Sequence, residues 1–252
     1  MEVIPLRTST IIETGEPIAH RFLEAMKSHR LQLKDGDIVA IASKAVAVAE
    51  GRVRRLDTFK PMPRALRLAR RYSLTPQFAQ AVIDEADEVH GGVKGALLTV
   101  KKGQAVANAG IDQKNAPKNS VVFWPSNPDE SARRIRETLQ RRVHRKIGVI
   151  IVDSRVAPMR LGTVGLALGI SGITAINDIR GRKDLYGRKA RITRHATADD
   201  AAGAAHLVMG EGAEMVPFAI IRRAPIPLAN GGRIRRMDAA DCLYMSQAKS
   251  KG

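Results

Sequence analysis

The 252-residue sequence predicts an α+β protein in which mixed and antiparallel sheets pack against helices. Three observations carry this reading. Short apolar, β-branched runs bounded by turn residues mark strands. Capping residues and four-residue apolar spacing mark helices. Neither a P-loop nor a G-x-G-x-x-G dinucleotide motif organises these elements, so a P-loop or Rossmann architecture is not expected.

Taken in order, DIVAIAS (37–43) follows the Asp35-Gly36 turn and reads as a buried strand. AVAVAEGR (45–52) comes next and ends in a glycine turn. Residues 64–90 carry helical spacing, interrupted near Thr75-Pro76. GALLTVKKGQAVANAG (95–110) reads as a hairpin around Lys102-Gly103. The next helix is the best marked: Asn127 caps it, Pro128 takes the first helical position and Glu130 sits three past the cap. It runs to about Arg142, with Ile135 and Leu139 on one face. KIGVIIVDS (146–154) is a strand closed by Asp153. A second capped helix begins at Thr197, with Asp199 and Asp200 at the positive end of its dipole and Gly210 as its C-cap. FAIIRR (218–223) is the last strand. The expected organisation is one domain over 1–228, its two lobes meeting near 105–145, followed by a basic polar tail over 229–252.

A chain of this length buries roughly 70–75% of its unfolded surface, so its core needs no staple. The single cysteine, Cys242, excludes a disulfide scaffold and a cysteine-based zinc site. The longest uncharged stretch, 161–177, is too short and too glycine-rich to span a bilayer, and MEVIPLRTST does not resemble a signal peptide. A reduced, cytoplasmic protein without a membrane partner is expected. Forty-two Lys and Arg against 25 Asp and Glu leave a net charge of +17, a field that attracts phosphorylated ligands or other polyanions. Aromatics make up only 4% and no nucleic-acid-binding signature is present, so nucleic acid is not expected as the main partner. A merely solvated basic surface is the competing reading.

The six histidines show no metal-ligand spacing, and Ser154 lacks a nucleophile elbow. What remains is oxygen chemistry at abrupt boundaries. Asp112 lies in the glycine turn NAGIDQKN (108–115), Asp153 and Ser154 close a buried strand, and Glu211 sits between two glycines after a helix. Such oxygens suit Mg²⁺ or Mn²⁺, although for any one of these carboxylates alone a turn or capping role is the favoured reading. The glycines at 162, 165, 169 and 172 either admit a ligand or permit tight packing. DIRGRKDLYGR (178–188) is either an anion-binding loop or a solvated one.

The ordered motifs AEGR (49–52), NAGID-x-x-N (108–115), PDESA (128–132), VIIVDS (149–154), GTVGLALGISGI (162–173), DIRGRKDLYGR (178–188) and LVMGEG (207–212) resemble the coenzyme F420-0:L-glutamate ligase family from about Val3 to Arg223. The resemblance implies a homodimeric ligase with its own mixed α/β fold and a cleft near the subunit contact. It implies GTP as co-substrate, two Mg²⁺ or Mn²⁺ sites with K⁺ as a further ion, and small-molecule substrates: F420-0, or a related phosphorylated acid, and L-glutamate. The acid would be activated as an acyl phosphate before the amine of glutamate attacks. Carried over by match, Asp112, Asp153, Ser154 and Glu211 would hold the metals, with Asp112 and Asp153 the catalytic pair. Ser9, Thr10, Ile11, Ile12, Ser43, Lys44, Asn115 and the stretch Leu207, Val208, Met209, Gly210, Glu211, Gly212, Ala213 and Glu214 would meet the nucleotide.

The chain departs from the family at two places. Val48 stands where the family commonly has a lysine, and Val156-Ala157 where it tends to have Gly-Arg, while Arg160 is retained. A paralogue that joins another amino acid or acid is therefore the alternative, as is a non-catalytic nucleotide or anion binder on the same fold. Retention of all four metal-site residues argues against loss of catalysis.

Overall fold

A computed structural model describes residues 1–246. The elements are β1 (Glu2–Leu6), α1 (Ile18–Ser28), β2 (Ile38–Ala42), α2 (Ser43–Ala49), β3 (Val53–Arg55), α3 (Pro63–Tyr72), α4 (Pro76–Glu85), β4 (Glu88–Val93), β5 (Ala96–Lys101) and β6 (Gln104–Ala107). They continue with β7 (Ser120–Val122), α5 (Pro128–Val143), β8 (Gly148–Val156), β9 (Thr163–Ser171), β10 (Asn177–Asp178), β11 (Arg194–His195), α6 (Thr197–Met209) and β12 (Phe218–Arg222). The class is α+β with mixed and antiparallel sheets, as expected. The described chain forms two compact units: one of Met1–Glu50, Pro125–Ser154 and Thr163–Ile234, the other of Gly51–Trp124, Arg155–Gly162 and 235–246.

The first unit is built on a five-stranded sheet in the order β1-β12-β2-β8-β9. β12 runs antiparallel to β1 and β2, whereas β2 and β8 are parallel, with Ala42 opposite Val152. Ile38 to Ile41 are fully buried, as are Val149 to Ile151, which explains why both strands read as unbroken apolar runs. Phe22 of α1 meets Phe218 of β12 edge to face, their ring centroids 5.5 Å apart. The Asn127 side chain accepts the Glu130 N–H and caps α5. The Glu130 carboxylate pairs with Arg133 and does not turn back to the cap.

The glycines of 162–172 act in packing. A Cβ on Gly169 would sit 2.7 Å from the Asp129 nitrogen at the start of α5, and one on Gly165 would sit 2.5 Å from the Ala202 carbonyl of α6. β9 is thereby held backbone-close to both helices. The Asp129 carboxylate then accepts the Ile170 and Ile234 N–H groups, so the segment after β12 is tied to β9 as well.

The cap expected at Thr197 is corrected: Thr197 is already helical, no side chain caps α6, and the Thr197 hydroxyl donates to the Thr174 and Ala175 carbonyls. Asp199, read as a dipole partner, also accepts the Ala167 N–H and fastens α6 to β9. Gly210 ends the helix as expected, with φ +77°.

The second unit contains the three-stranded antiparallel sheet β4-β5-β6, the pair β3-β7 and helices α3 and α4. The hairpin around Lys102-Gly103 forms as read. The helical reading of 64–90 is corrected at its end, because Glu88–Val93 is a strand paired with β5 through a bulge at Val89/Gly91. Ladder hydrogen bonds to β5 decide this, and local spacing cannot register them. The core of the unit gathers Phe59, Phe78, Val82, Leu97, Val121 and Phe123. Beside it Lys101 is buried against Glu85, which also takes Arg52. Burial pushes the Lys101 ammonium below the ordinary lysine range, against the opposing pull of Glu85.

Candidate active site

The parallel pairing of β2 with β8 creates the first part of the site, and it corrects the expectation that Asp153 closes the strand, because β8 runs on to Val156. Because Ala42 lies beside Val152, the residues that follow, Ser43 at the start of α2 and Asp153 within β8, fall side by side. The Ser43 hydroxyl donates to Asp153 Oδ1 at 2.9 Å. Ser43 is buried and opens α2, so the carboxylate is held from one side where the fully buried stretch of β8 gives way to half-buried residues. Ser154 follows in the same strand and Lys44 sits in the first turn of α2, both half-buried.

Glu211 is positioned from two sides. Its Oε1 accepts the Thr163 hydroxyl and faces His206 Nε2, each at 2.8 Å. Thr163 begins β9 and His206 belongs to the last turn of α6. The loop that follows is shaped by glycine: the Gly212 N–H donates to Glu214 Oε2 at 2.7 Å, and a Cβ on Gly210 would strike the Glu214 carboxylate. Within this stretch Met209 is buried, whereas Leu207 is 84% exposed.

The N-terminal segment reaches the same neighbourhood. The N–H of Thr8 donates to the Met215 carbonyl at 2.8 Å, which ties residues 8–12 to the end of the 207–214 stretch. Ser9, Thr10 and Ile11 are exposed and Ile12 is buried. A cavity of about 500 Å³ beside them is lined by Thr10, Ile11, Glu13, Gly15, Glu16 and Arg21, among others. Arg21 pairs with Glu16 there.

Asp112 and Asn115 belong to the second unit. A Cβ on Gly110, whose φ is +72°, would lie 2.5 Å from Trp124 Nε1, so only glycine makes this turn. The Asp112 backbone then pairs with Val122, at 2.9 and 2.8 Å. Its Oδ1 accepts the Lys114 N–H at 2.7 Å, and Asn115 takes a left-handed conformation, φ +59°.

The structure thus joins Ser43 to Asp153, Thr8 to Met215, and Glu211 to Thr163 and His206. Three carboxylates and a hydroxyl are a hard-oxygen donor set, which fits Mg²⁺ or Mn²⁺. Among the described residues, no three His, Cys, Asp or Glu side chains are already gathered around one point. Thr163 and His206 were not singled out by the sequence reading. For His206 the signal was available, since it lies one helical turn before the Gly210 C-cap. For Thr163 it was not, because 48 residues separate it from Glu211.

Of the departures, Val48 lies half-buried in α2 and Val156 is 62% exposed. In the loop 178–188, Arg180 is taken by Asp178 at 2.9 Å and Arg188 by Asp184 at 3.2 Å. The Arg180 guanidinium, with the Arg180 N–H, holds the Asp178 carboxyl far below the usual carboxylate range.

A family model described as F420-0:Gamma-glutamyl ligase matches residues 6–223. The chain is 38% identical over 222 residues to the coenzyme F420:L-glutamate ligase of Archaeoglobus fulgidus, covering 88% of this chain and 87% of the relative. It is 41% identical over 200 residues to the enzyme of that name from Methanocaldococcus jannaschii, covering 79% of this chain and 80% of the relative. With that of Methanothermobacter thermautotrophicus it shares 38% identity over 226 residues, or 89% of this chain and 90% of the relative. No helix among the described residues is long and apolar enough to cross a membrane. This chain belongs to the F420-0:gamma-glutamyl ligase family and is an enzyme of the ligase type.

Proposed function

We propose that this protein joins L-glutamate to coenzyme F420-0 in the cytoplasm, as a homodimer, with GTP and Mg²⁺ or Mn²⁺, through an acyl phosphate. The observation that carries the proposal is Asp153, held by Ser43 where the buried stretch of β8 ends, within the span of the family match. In the first step an acceptor carboxylate oxygen bonds to the γ-phosphorus of GTP and GDP leaves with the electrons of the broken P–O bond. In the second, the glutamate amine bonds to the acyl carbon, phosphate departs with the C–O electron pair, and the nitrogen gives up a proton as the amide forms.

Asp112, Asp153, Ser154 and Glu211 would hold the divalent ions. When bound, these ions neutralise triphosphate charge and orient the γ-phosphate for in-line attack. Ser43 keeps Asp153 in one rotamer, and Thr163 with His206 does the same for Glu211, so both carboxylates are ordered before ligand arrives. The segments 9–12 and 207–214, tied together by Thr8 and Met215, would form the nucleotide wall with Ser43, Lys44 and Asn115. The high net positive charge favours encounter with GTP and other anionic substrates.

The test is mass spectrometry of a reaction containing the protein, F420-0, GTP, both metals and a pool of amino acids. A mass gain of one glutamate with GDP release supports the proposal. Another amino acid in the product replaces it with the paralogue reading, which Val48 and Val156-Ala157 favour. Asp153→Asn, folded by circular dichroism, is expected to lose at least about 100-fold in turnover. Full activity in that variant would sink the assignment.

A further inference from the structure

The second unit holds a concentration of positive charge that the ligase reading does not use. A cavity of about 650 Å³ is lined by Arg54, Arg55, Thr58, Phe59, Lys60 and Asp84. Small-molecule sites run roughly 300–1,000 Å³, so the space suits a metabolite. Arg55 is occupied by Asp57, at 3.1 Å. The Arg54 guanidinium lies over the Phe123 ring at 5.8 Å, and neither Arg54 nor Lys60 has a carboxylate within ion-pair distance among the described residues.

Asp84, the one acid of the lining among the described residues, is itself anchored. Asp84 accepts Gln80 Nε2 at 2.6 Å, and Gln80, which is buried, accepts the Met62 N–H at 2.8 Å through its own oxygen. This chain of bonds fixes Asp84 to the start of α3. Along α3, Arg64, Arg67 and Arg71 share the face opposite the buried Ala65 and Ala69, and they too lack a carboxylate partner among the described residues. Like charges this close repel one another, and a bound anion relieves that repulsion.

We propose that this cavity binds an organic phosphate, its phosphate set against Arg54 and Lys60 and a hydroxyl or amine of the same ligand donating to Asp84. Asp84 disfavours a bare polyanion, which would bring it no donor. Phe59 is buried and offers no stacking platform for the bases of a single-stranded nucleic acid. The arginines of α3 raise the local anion concentration around the opening. None of these residues is assigned to GTP or metal, so the proposal and the ligase reading fail independently.

The experiment is a ¹H–¹⁵N NMR titration of the full chain with glycerol 3-phosphate, using inorganic phosphate as the comparison. Saturable amide shifts at residues 54–60 and 84 are expected, and a weaker response to inorganic phosphate. The exposed-site variant Arg54→Ala/Lys60→Ala should bind about tenfold more weakly or worse. Arg64→Ala/Arg67→Ala should change the affinity by less than about twofold at physiological salt. Asp84→Asn should erase the preference for glycerol 3-phosphate over inorganic phosphate. Shifts confined to other residues, no saturation at 54–60, or equal losses in the two arginine variants would overturn the proposal. So would amide shifts along α3 caused by a DNA duplex, steep in salt and surviving Arg54→Ala/Lys60→Ala, if glycerol 3-phosphate left 54–60 unmoved.

Discussion

Removing Arg222 should cost this protein more stability than any ordinary surface change, because of what it leaves behind. Asp37 is 1% exposed at the entry to β2, and Arg222 at the end of β12 grips it with two nitrogens: Nε to Oδ1 at 3.0 Å and Nη2 to Oδ2 at 2.8 Å. The same guanidinium donates to the Gln32 carbonyl, and the Asp37 hydrogen bonds raise the Arg222 pKa above its ordinary value despite burial. In Arg222→Ala the carboxylate keeps, among the described residues, only the Lys34 N–H at 2.8 Å. Breaking a buried pair from one side costs about 3–5 kcal/mol. At about 2–4 °C per kcal/mol for a chain of this size, Tm should fall by roughly 6–20 °C. A double variant, Asp37→Leu/Arg222→Met, removes both charges and should recover most of that loss. Thermal unfolding followed by circular dichroism measures both. A loss below about 1 kcal/mol in the single variant, the value of an exposed pair, would refute the argument, as would a double variant no better than the single.

Glu16 provides a pH test. Burial raises its pKa, but hydrogen bonds from Arg21 and the Glu13 N–H, with the Arg21 charge, outweigh this and hold it below the ordinary glutamate value. A depressed carboxylate contributes stability above its unfolded pKa and loses it as pH falls through the folded pKa. The Tm gap between the wild type and Glu16→Gln should therefore be open at neutral pH and close in acid; a gap independent of pH counts against the pair. Gly169→Ala should destabilise by about 1–3 kcal/mol, since the neighbours of its new methyl are backbone atoms that cannot swing aside. Urea unfolding with an unchanged midpoint would show that α5 and β9 can part at no cost. Ser43→Ala leaves Asp153 in place without its 2.9 Å donor, so turnover should drop. Steady-state kinetics in which only KM moves would contradict the positioning role.

What could be read along the chain was whatever neighbouring residues decide among themselves. Asn127 and Pro128 start α5 through atoms three residues apart, Lys102-Gly103 turns a hairpin, and Gly210 stops a helix by its own conformation. The apolar runs of β2 and β8 announced burial without naming a partner. Their parallel pairing brings Ser43 to Asp153 across 110 positions, and no local spacing contains that information. The errors have the same origin. Glu88–Val93 continues a helical rhythm but is captured by the hydrogen bonds of β5, and Thr197 has the chemistry of a cap but spends its hydroxyl on the carbonyls before α6. β1 went unread because Glu2–Leu6 is a strand only by virtue of β12. The glycines of 162–172 were ambiguous until α5 and α6 were in place to exclude a Cβ. The sequence by itself determined the family and singled out the candidate oxygen-bearing residues. Tertiary structure alone decided which oxygens are held, and by what, because long-range pairing is a balance of hydrogen bonds and buried area that exists only once the chain has closed on itself.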